Sequence, residues 1–407
     1  MQRLQNRVQP YAWGTTDRIA ELLGREADGT PAAELWIGAH PAAPSQVLDA
    51  DGTPGATLEE VVAGDPAQTL GPDRDADRLP FLLKVLSAAA PLSLQVHPDR
   101  ERAGRRFAEE DAAGVPLDAP HRLYRDTEHK PELLFALEEF HAMAGFRSPG
   151  AARDLLADLH LTDLPPAATD LFAQLLADLS LVEEGAALRA ATQRVLTAPA
   201  EAVGPLVDAV ARACAELEDV TVDGSARILA DLARHYPGDP GVLVSAWLNK
   251  VHLQAGETLF LPAGNVHAYL SGTGVELMAS SDNVLRGGLT PKHVDVAELL
   301  EVVDFRVLPA PLLPAHHVSA DEAVFDPGVG DFALTVLQVR DGSLTTWQKP
   351  RPRTLLCLQG SVRIVAGEQE LVLGRGETAF VGAGDHPLVV TGAGVLAAAA
   401  PGQSWGR

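Results

Sequence analysis

Apolar and polar positions alternate with a period of two in several separate stretches of this chain, most clearly in Leu92-Ser93-Leu94-Gln95-Val96-His97. On a strand, residues two apart share a face, so Leu92, Leu94 and Val96 predict a packed face while Ser93, Gln95 and His97 predict a shared polar one. A second strand is predicted at Phe81-Leu82-Leu83-Lys84-Val85-Leu86-Ser87, where one lysine interrupts an apolar run. A buried ammonium needs an anion or a pocket, which makes Lys84 a candidate site residue. In Lys130-Pro131-Glu132-Leu133-Leu134-Phe135-Ala136-Leu137 the two charges share one parity, and Leu133, Phe135 and Leu137 share the other. Pro131 marks a strand start or edge.

Between about 148 and 232 the period changes. Ala151-Ala152-Arg153-Asp154-Leu155-Leu156-Ala157-Asp158-Leu159 and the run from Val203 to Leu217 carry helical spacing in strong helix formers. Strand pattern stops at Phe146 and resumes after the turn cluster Tyr236-Pro237-Gly238-Asp239-Pro240-Gly241, so a β domain interrupted by a helical insertion is predicted. A helix is also expected from Pro98 to about Ala113. Another is expected at Thr290-Pro291-Lys292, with Thr290 as N-cap and Pro291 in the first turn, which would seat Lys292 at a phosphate-binding helix N-terminus.

One internal repeat stands out. Gly376-Glu377-Thr378-Ala379-Phe380-Val381-Gly382-Ala383-Gly384-Asp385-His386-Pro387 repeats Gly256-Glu257-Thr258-Leu259-Phe260-Leu261-Pro262-Ala263-Gly264-Asn265-Val266-His267 almost position for position. Pro387 takes the place of His267, and His386, one residue off, faces the other way on a strand. Two related β modules are expected, with a ligand histidine kept only in the first.

Composition narrows the chemistry. With 407 residues and 46% apolar content the chain holds more than one core, and its apolar runs are far short of the roughly 20 residues of a membrane span. The first residues lack the apolar stretch of a signal peptide, so a cytoplasmic protein is expected. A formal charge of −23 disfavours nucleic acid and anionic membranes as partners. An anionic substrate would need a local basic pocket. Cys214 and Cys357 sit in unlike contexts and form neither a disulfide framework nor a thiolate cluster, so a metal would use N and O donors. Of the five tryptophans, Trp36 is expected in the core, and Trp13 in the core or a pocket wall.

Gln95, His97, Glu132 and His267 lie on three separate predicted strands and offer two imidazoles, a carboxylate and an amide oxygen. Zn²⁺, Fe²⁺ and Mn²⁺ all suit such donors. A His-x-His-like strand, a Glu, and a later His after a Pro-Ala-Gly turn resemble the ligand layout of cupin β modules. At four separated motifs the resemblance becomes specific: Gln95-Val96-His97-Pro98-Asp99, His129-Lys130-Pro131-Glu132, His267-Ala268-Tyr269-Leu270, and Ser281-Asp282-Asn283-Val284-Leu285-Arg286-Gly287-Gly288-Leu289-Thr290-Pro291-Lys292. The chain resembles the type I mannose-6-phosphate isomerases, zinc-dependent cupin enzymes.

That resemblance implies a mainly β fold of two cupin-type jelly-roll modules plus an α-helical domain. The expected division is a discontinuous catalytic module at 1–147 and 236–310, a helical insertion at 148–235, and a metal-free cupin-like module at 311–407. It implies one zinc held by Gln95, His97, Glu132 and His267, and Arg286 as the active-site arginine. It also implies Ser93, Lys84 and Lys292 at the substrate phosphate, with Lys130, Tyr269 and Glu276 in the pocket. The implied reaction interconverts mannose 6-phosphate and fructose 6-phosphate through a cis-enediol. Glu276 is the expected proton-transferring base, alongside a purely structural alternative in which it pairs with Arg286 or Lys292. The expected partner is a small sugar phosphate, and the expected state is a monomer. Two other readings use the same ligands: an Fe²⁺-dependent cupin oxygenase, which leaves Lys84, Lys292 and Arg286 unexplained, and a non-enzymatic sugar-phosphate-binding cupin.

Overall fold

The computed structural model describes residues 1–72, 77–217 and 224–403. Its frame is two sheets of antiparallel strands, one of eleven and one of ten. In the smaller sheet, strand Phe81–Ala88 lies between Glu34–Ile37 and His267–Ala279, and Glu132–Ala136 also pairs with His267–Ala279. Register puts Trp36, Lys84 and Glu276 in one row across three strands, and Leu35, Val85 and Val275 in the next. The second row does what its parity predicts. Leu35, Leu83, Val85, Leu133, Phe135, Val275 and Leu277 pack with Phe325, Leu334, Leu356 and Phe380 of the other sheet in one shared core. Each fully buried side chain of this size contributes about 1.5–3 kcal/mol, so register is fixed and Lys84 and Glu276 are forced to the opposite face.

Among the described residues, the helices Pro149–Ala157, Pro166–Asp178, Glu184–Thr197, Ala200–Glu216 and Ser225–His235, followed by the short turns of helix Gly241–Val244 and Ser245–Trp247, separate strand Phe140–Phe146 from strand Leu248–Leu253. Their apolar stripes bury Leu156, Leu175, Leu188, Val210 and Leu229 against Leu94, Val96, Met143 and Phe146 of the smaller sheet. The even-numbered face of strand Leu94–Val96 is thereby committed to packing. The helix expected after Pro98 spans Arg100–Ala112, capped by Asp99, whose side chain accepts from the Arg102 N–H at 2.7 Å.

The repeat is structural as well as sequential: Thr258–Leu261 followed by His267–Ala279 matches Thr378–Val381 followed by Leu388–Ala400. Among the described residues, no group of three His, Cys, Asp or Glu ligands gathers at His386.

Two expectations need correction. Strand Gln2–Gln5 pairs with Thr378–Val381 and with Gln46–Leu48, which in turn pairs with Pro54–Thr57. These three N-terminal strands therefore belong to the sheet of the C-terminal module, and residues 1–147 are not wholly part of the first. Thr290-Pro291-Lys292 does not open a helix either. Asp239 accepts from the N–H groups of Leu289 at 2.9 Å and Thr290 at 3.1 Å, and Leu289 adopts a φ of 54°, so the backbone there is pinned in a bend. The helix begins later, at Val296–Val302, with Asp295 as its cap. Residues 218–223 of the expected insertion and 404–407 of the expected C-terminal module lie outside the described residues.

Candidate active site

Register builds the site before any side chain is considered. Gln95 stands opposite Arg286 on one neighbouring strand and opposite His267 on the other, so the three share a face across adjacent strands. Arg286 lies on strand Leu285–Gly288 rather than in the Gly-rich loop its sequence suggests. His97 follows immediately after strand Leu94–Val96, and Glu132 opens its own strand. Gly264, in the turn before His267, donates its N–H to the His97 carbonyl at 2.9 Å. Its φ of +80° favours glycine, and a Cβ there would stand 3.2 Å from the Val302 carbonyl oxygen. One turn thus ties the two histidine-bearing segments together.

The donor atoms converge. Glu132 places one carboxylate oxygen 3.3 Å from His97 Nε2 and the other 3.3 Å from His267 Nε2, with all three side chains buried. His97 Nδ1 lies 2.7 Å from the Asn283 carbonyl oxygen, and His267 Nδ1 lies 3.0 Å from that of Asn265. A carbonyl can only accept, so each Nδ1 carries the proton and each Nε2 turns a lone pair into the site. Burial pushes the His97 imidazole down to about 4 against the pull of Glu132, which keeps it neutral. His97 Nε2 is nonetheless a buried atom with no hydrogen-bond partner. A lone pair left bare in this way fits a metal ion, and two imidazoles with a carboxylate are zinc-type donors. Gln95 is placed beside His267 by register, on the face these donors share.

The acid-base groups form an adjoining layer. Lys84 Nζ lies 3.1 Å from Glu276 and 3.5 Å from Glu34. It sits 5.0 Å above the Trp36 ring, whose Nε1 donates to Glu34 at 2.7 Å. Trp36 is buried with Ala43, Leu82 and Met278, as expected of a core residue, and also presents its ring to Lys84. Burial works against the Lys84 ammonium, but Glu34, Glu276 and Glu132 outweigh it and hold its pKa above the ordinary lysine value. For Glu276, burial raises the pKa, Lys84 opposes it, and Glu132 and Glu34 add to it, leaving the carboxyl above its usual range. For Glu132, burial is overcome by His97, Lys130 and His267, which hold its carboxyl well below the usual range. Lys130 Nζ is 3.2 Å from Glu132. Burial of the Tyr269 hydroxyl, with Glu276 and Glu132 nearby, pushes it well above the ordinary phenol value.

A separate basic group lies beyond Arg286. Burial and Arg125 lower the Arg286 pKa, and burial, Arg286 and Arg125 lower that of Lys292. No carboxylate partner is found for any of the three among the described residues. Such mutually repelling cations await an anion. Arg125, Glu34 and Asn283 are the residues that sequence reasoning passed over. Glu34 had a signal, a carboxylate inside an apolar strand like that of Lys84. Asn283 acts on His97 through its backbone, and its buried side chain accepts from the Arg125 N–H at 2.7 Å, a tie no local pattern shows. The expected Glu276 pairing with Arg286 or Lys292 does not form, because Lys84 is its partner. Ser93 is half-buried just ahead of strand Leu94–Val96.

Comparison with known proteins gives one consistent result. The family described as "Phosphomannose isomerase type I, catalytic domain" matches residues 1–149. The chain is 39% identical to mannose-6-phosphate isomerase of Escherichia coli over 98% of both chains. It is 32% identical to that of Rattus norvegicus over 94% of this chain and 93% of the relative. A crystal structure of a lysine-to-alanine variant of phosphomannose isomerase from Salmonella typhimurium superposes with a TM-score of 0.89 at 35% identity, covering 99% of each chain. A zinc-bound mannose 6-phosphate isomerase superposes at 0.87 and 36% identity, over 98% of this chain and 99% of the other.

Proposed function

The chain belongs to the type I mannose-6-phosphate isomerase family, and from that premise we propose how its own residues interconvert mannose 6-phosphate and fructose 6-phosphate. The observation that carries the reading is the meeting of the buried trio His97, Glu132 and His267 with the unpaired cations Arg286, Lys292 and Arg125. Zinc, held by His97, Glu132 and His267 with Gln95 as fourth ligand, supplies a Lewis-acid centre that polarises a substrate oxygen.

The remaining work falls to the side chains. Lys292 and Arg125, with Ser93, receive the phosphate, and Arg286 stands between that end and the ligands, where a guanidinium stabilises negative charge developing on the enediolate oxygens. Glu276 takes the proton from C2 of the sugar and returns it at C1. Its raised pKa suits a base working near neutrality, and Lys84 at 3.1 Å limits the rise so that the carboxylate form stays populated. Lys84 therefore belongs with proton transfer; two carboxylates already surround it, so a phosphate dianion would meet repulsion there. Lys130 keeps Glu132 ionised, and the Tyr269 hydroxyl, held protonated beside Glu276, can donate a hydrogen bond to the sugar.

A coupled assay of mannose 6-phosphate isomerisation, with and without a chelator, tests the reading. Turnover is expected to vanish on zinc removal and to return on zinc addition. Oxygen uptake in place of isomerisation would sink it, as would chelator-insensitive turnover. The oxygenase and storage readings find no support among the relatives, which are named as isomerases.

A further inference from the structure

Strand Phe140–Phe146 lies between the site strand His267–Ala279 and the sheet-edge strand Leu248–Leu253. Near its start, away from the site just described, His141 stands directly opposite His252. The two imidazoles stack with ring centroids 4.7 Å apart and planes 6° from parallel. Both turn Nε2 toward one oxygen: Glu139 Oε1 is 2.8 Å from His252 Nε2 and 3.3 Å from His141 Nε2. The ligand atoms of all three lie within 4.8 Å of one another. The Gln254 amide nitrogen is 3.1 Å from His252 Nε2, and turning that amide over puts its carbonyl oxygen in the same place.

We propose that Glu139, His141 and His252, with Gln254 as fourth donor, form a second site for a divalent transition metal of the zinc class, on the surface. Two imidazoles, one carboxylate and one amide repeat the donor set of the buried site. A tetrahedral ion with bonds of about 2.0–2.1 Å sets its donors roughly 3.3 Å apart, close to the separations found here. The histidines come from paired strands, so the backbone fixes their spacing before any ion arrives and little ordering entropy is lost on binding. The site opens to solvent, with the side chains of His141 and His252 exposed by 42% and 50%, so the ion exchanges faster than a buried one. A hard cation such as Mg²⁺ is disfavoured by the imidazoles.

Zinc content per chain, measured after dialysis of the zinc-loaded enzyme against buffered micromolar free Zn²⁺, is the test. Wild type is expected to hold two ions, His141→Ala and His252→Ala one each, and the isomerase rate of both variants should match wild type. Glu132→Gln should keep the surface ion and lose the buried one, which separates this proposal from the assignment of the active-site ligands. With Cu²⁺ as probe, electron paramagnetic resonance should show two nitrogen ligands in Glu132→Gln and fewer once either His141 or His252 is replaced. Equal metal content in wild type and both histidine variants would overturn the proposal.

Discussion

At Lys84 the needs of chemistry and of stability meet in one side chain. It is held between Glu34 and Glu276 in a fully buried position, and removing it leaves two carboxylates without their cation. Breaking such a pair costs about 3–5 kcal/mol, and Lys84→Ala is expected to lose that much at pH 8 in urea unfolding. The pH dependence has a definite sign. Lys84 has a raised pKa in the fold, so its contribution is fully present below the unfolded value of 10.5 and is lost only above it. Glu276 is raised from 4.5 in the fold, so its ionisation costs stability as the pH rises from 4.5 through its native pKa, and the loss is complete above that value. In Lys84→Ala that value climbs further, and the deficit should shrink between pH 8 and pH 5 as Glu276 takes up a proton. A deficit equal at both pH values would refute the coupling. Kinetics separates the cations: Arg286→Ala should lower kcat by about two orders of magnitude with little change in KM, as loss of an oxyanion donor does. Lys292→Ala and Arg125→Ala should instead raise KM, each by about tenfold. An Arg286→Ala enzyme with intact kcat and high KM would move that arginine to the phosphate. Of these residues, strand parity pointed to Gln95, His97, Glu132 and Lys84 and the Pro-Ala-Gly turn to His267, because alternation and turns are local properties. Arg125 was invisible, since the tie that positions its backbone comes from the buried Asn283 side chain, 158 residues away.

At the scale of single elements, what could be read beforehand was whatever depends on neighbours in the chain. The strands at Phe81–Ala88 and Glu132–Ala136 and the Asp99-capped helix follow from local pattern. Thr290 does accept from the Lys292 N–H at 3.1 Å as a cap would, but Asp239, fifty residues upstream, holds the N–H groups of Leu289 and Thr290 in a bend from which no helix continues. Pro291 and Thr290 carry a true turn signal, and a distant carboxylate decides which turn it becomes. The turn before His267 offers a sharper test. Gly264→Ala places a methyl 3.2 Å from the Val302 carbonyl in a left-handed backbone, so it should displace His267 and weaken zinc retention about tenfold or more in chelator competition. Gly256→Ala shares the positive φ, but its Cβ meets nothing within 4 Å. It should cost about 1 kcal/mol of stability and leave zinc retention unchanged. Equal effects from the two would mean that strain, and not the position of His267, governs the metal.

Across the whole molecule, the misplaced module boundary has a single cause: strand Gln2–Gln5 finds its partner at Thr378–Val381, and no periodicity encodes a pairing over that separation. The Met1 ammonium adds a contact to Asp385 at 3.0 Å. On the ribosome this arrangement inverts the order of making and of folding. Strand Gln2–Gln5 can meet Gln46–Leu48 soon after both are made, but its other edge waits for Thr378–Val381, and until then Leu4, which belongs in the shared core with Phe380, stays uncovered. Loop closure over such a distance is slow, and the waiting edge is a place where a nascent chain is open to chaperones and to proteases. Stalled chains ending before residue 378 should therefore be cut near residues 2–5 by a protease to which the full-length protein is resistant there, and early protection of those residues would show that pairing with Gln46–Leu48 alone suffices to order them. Strand Thr378–Val381 is, in that sense, the clasp that closes on the free edge of strand Gln2–Gln5.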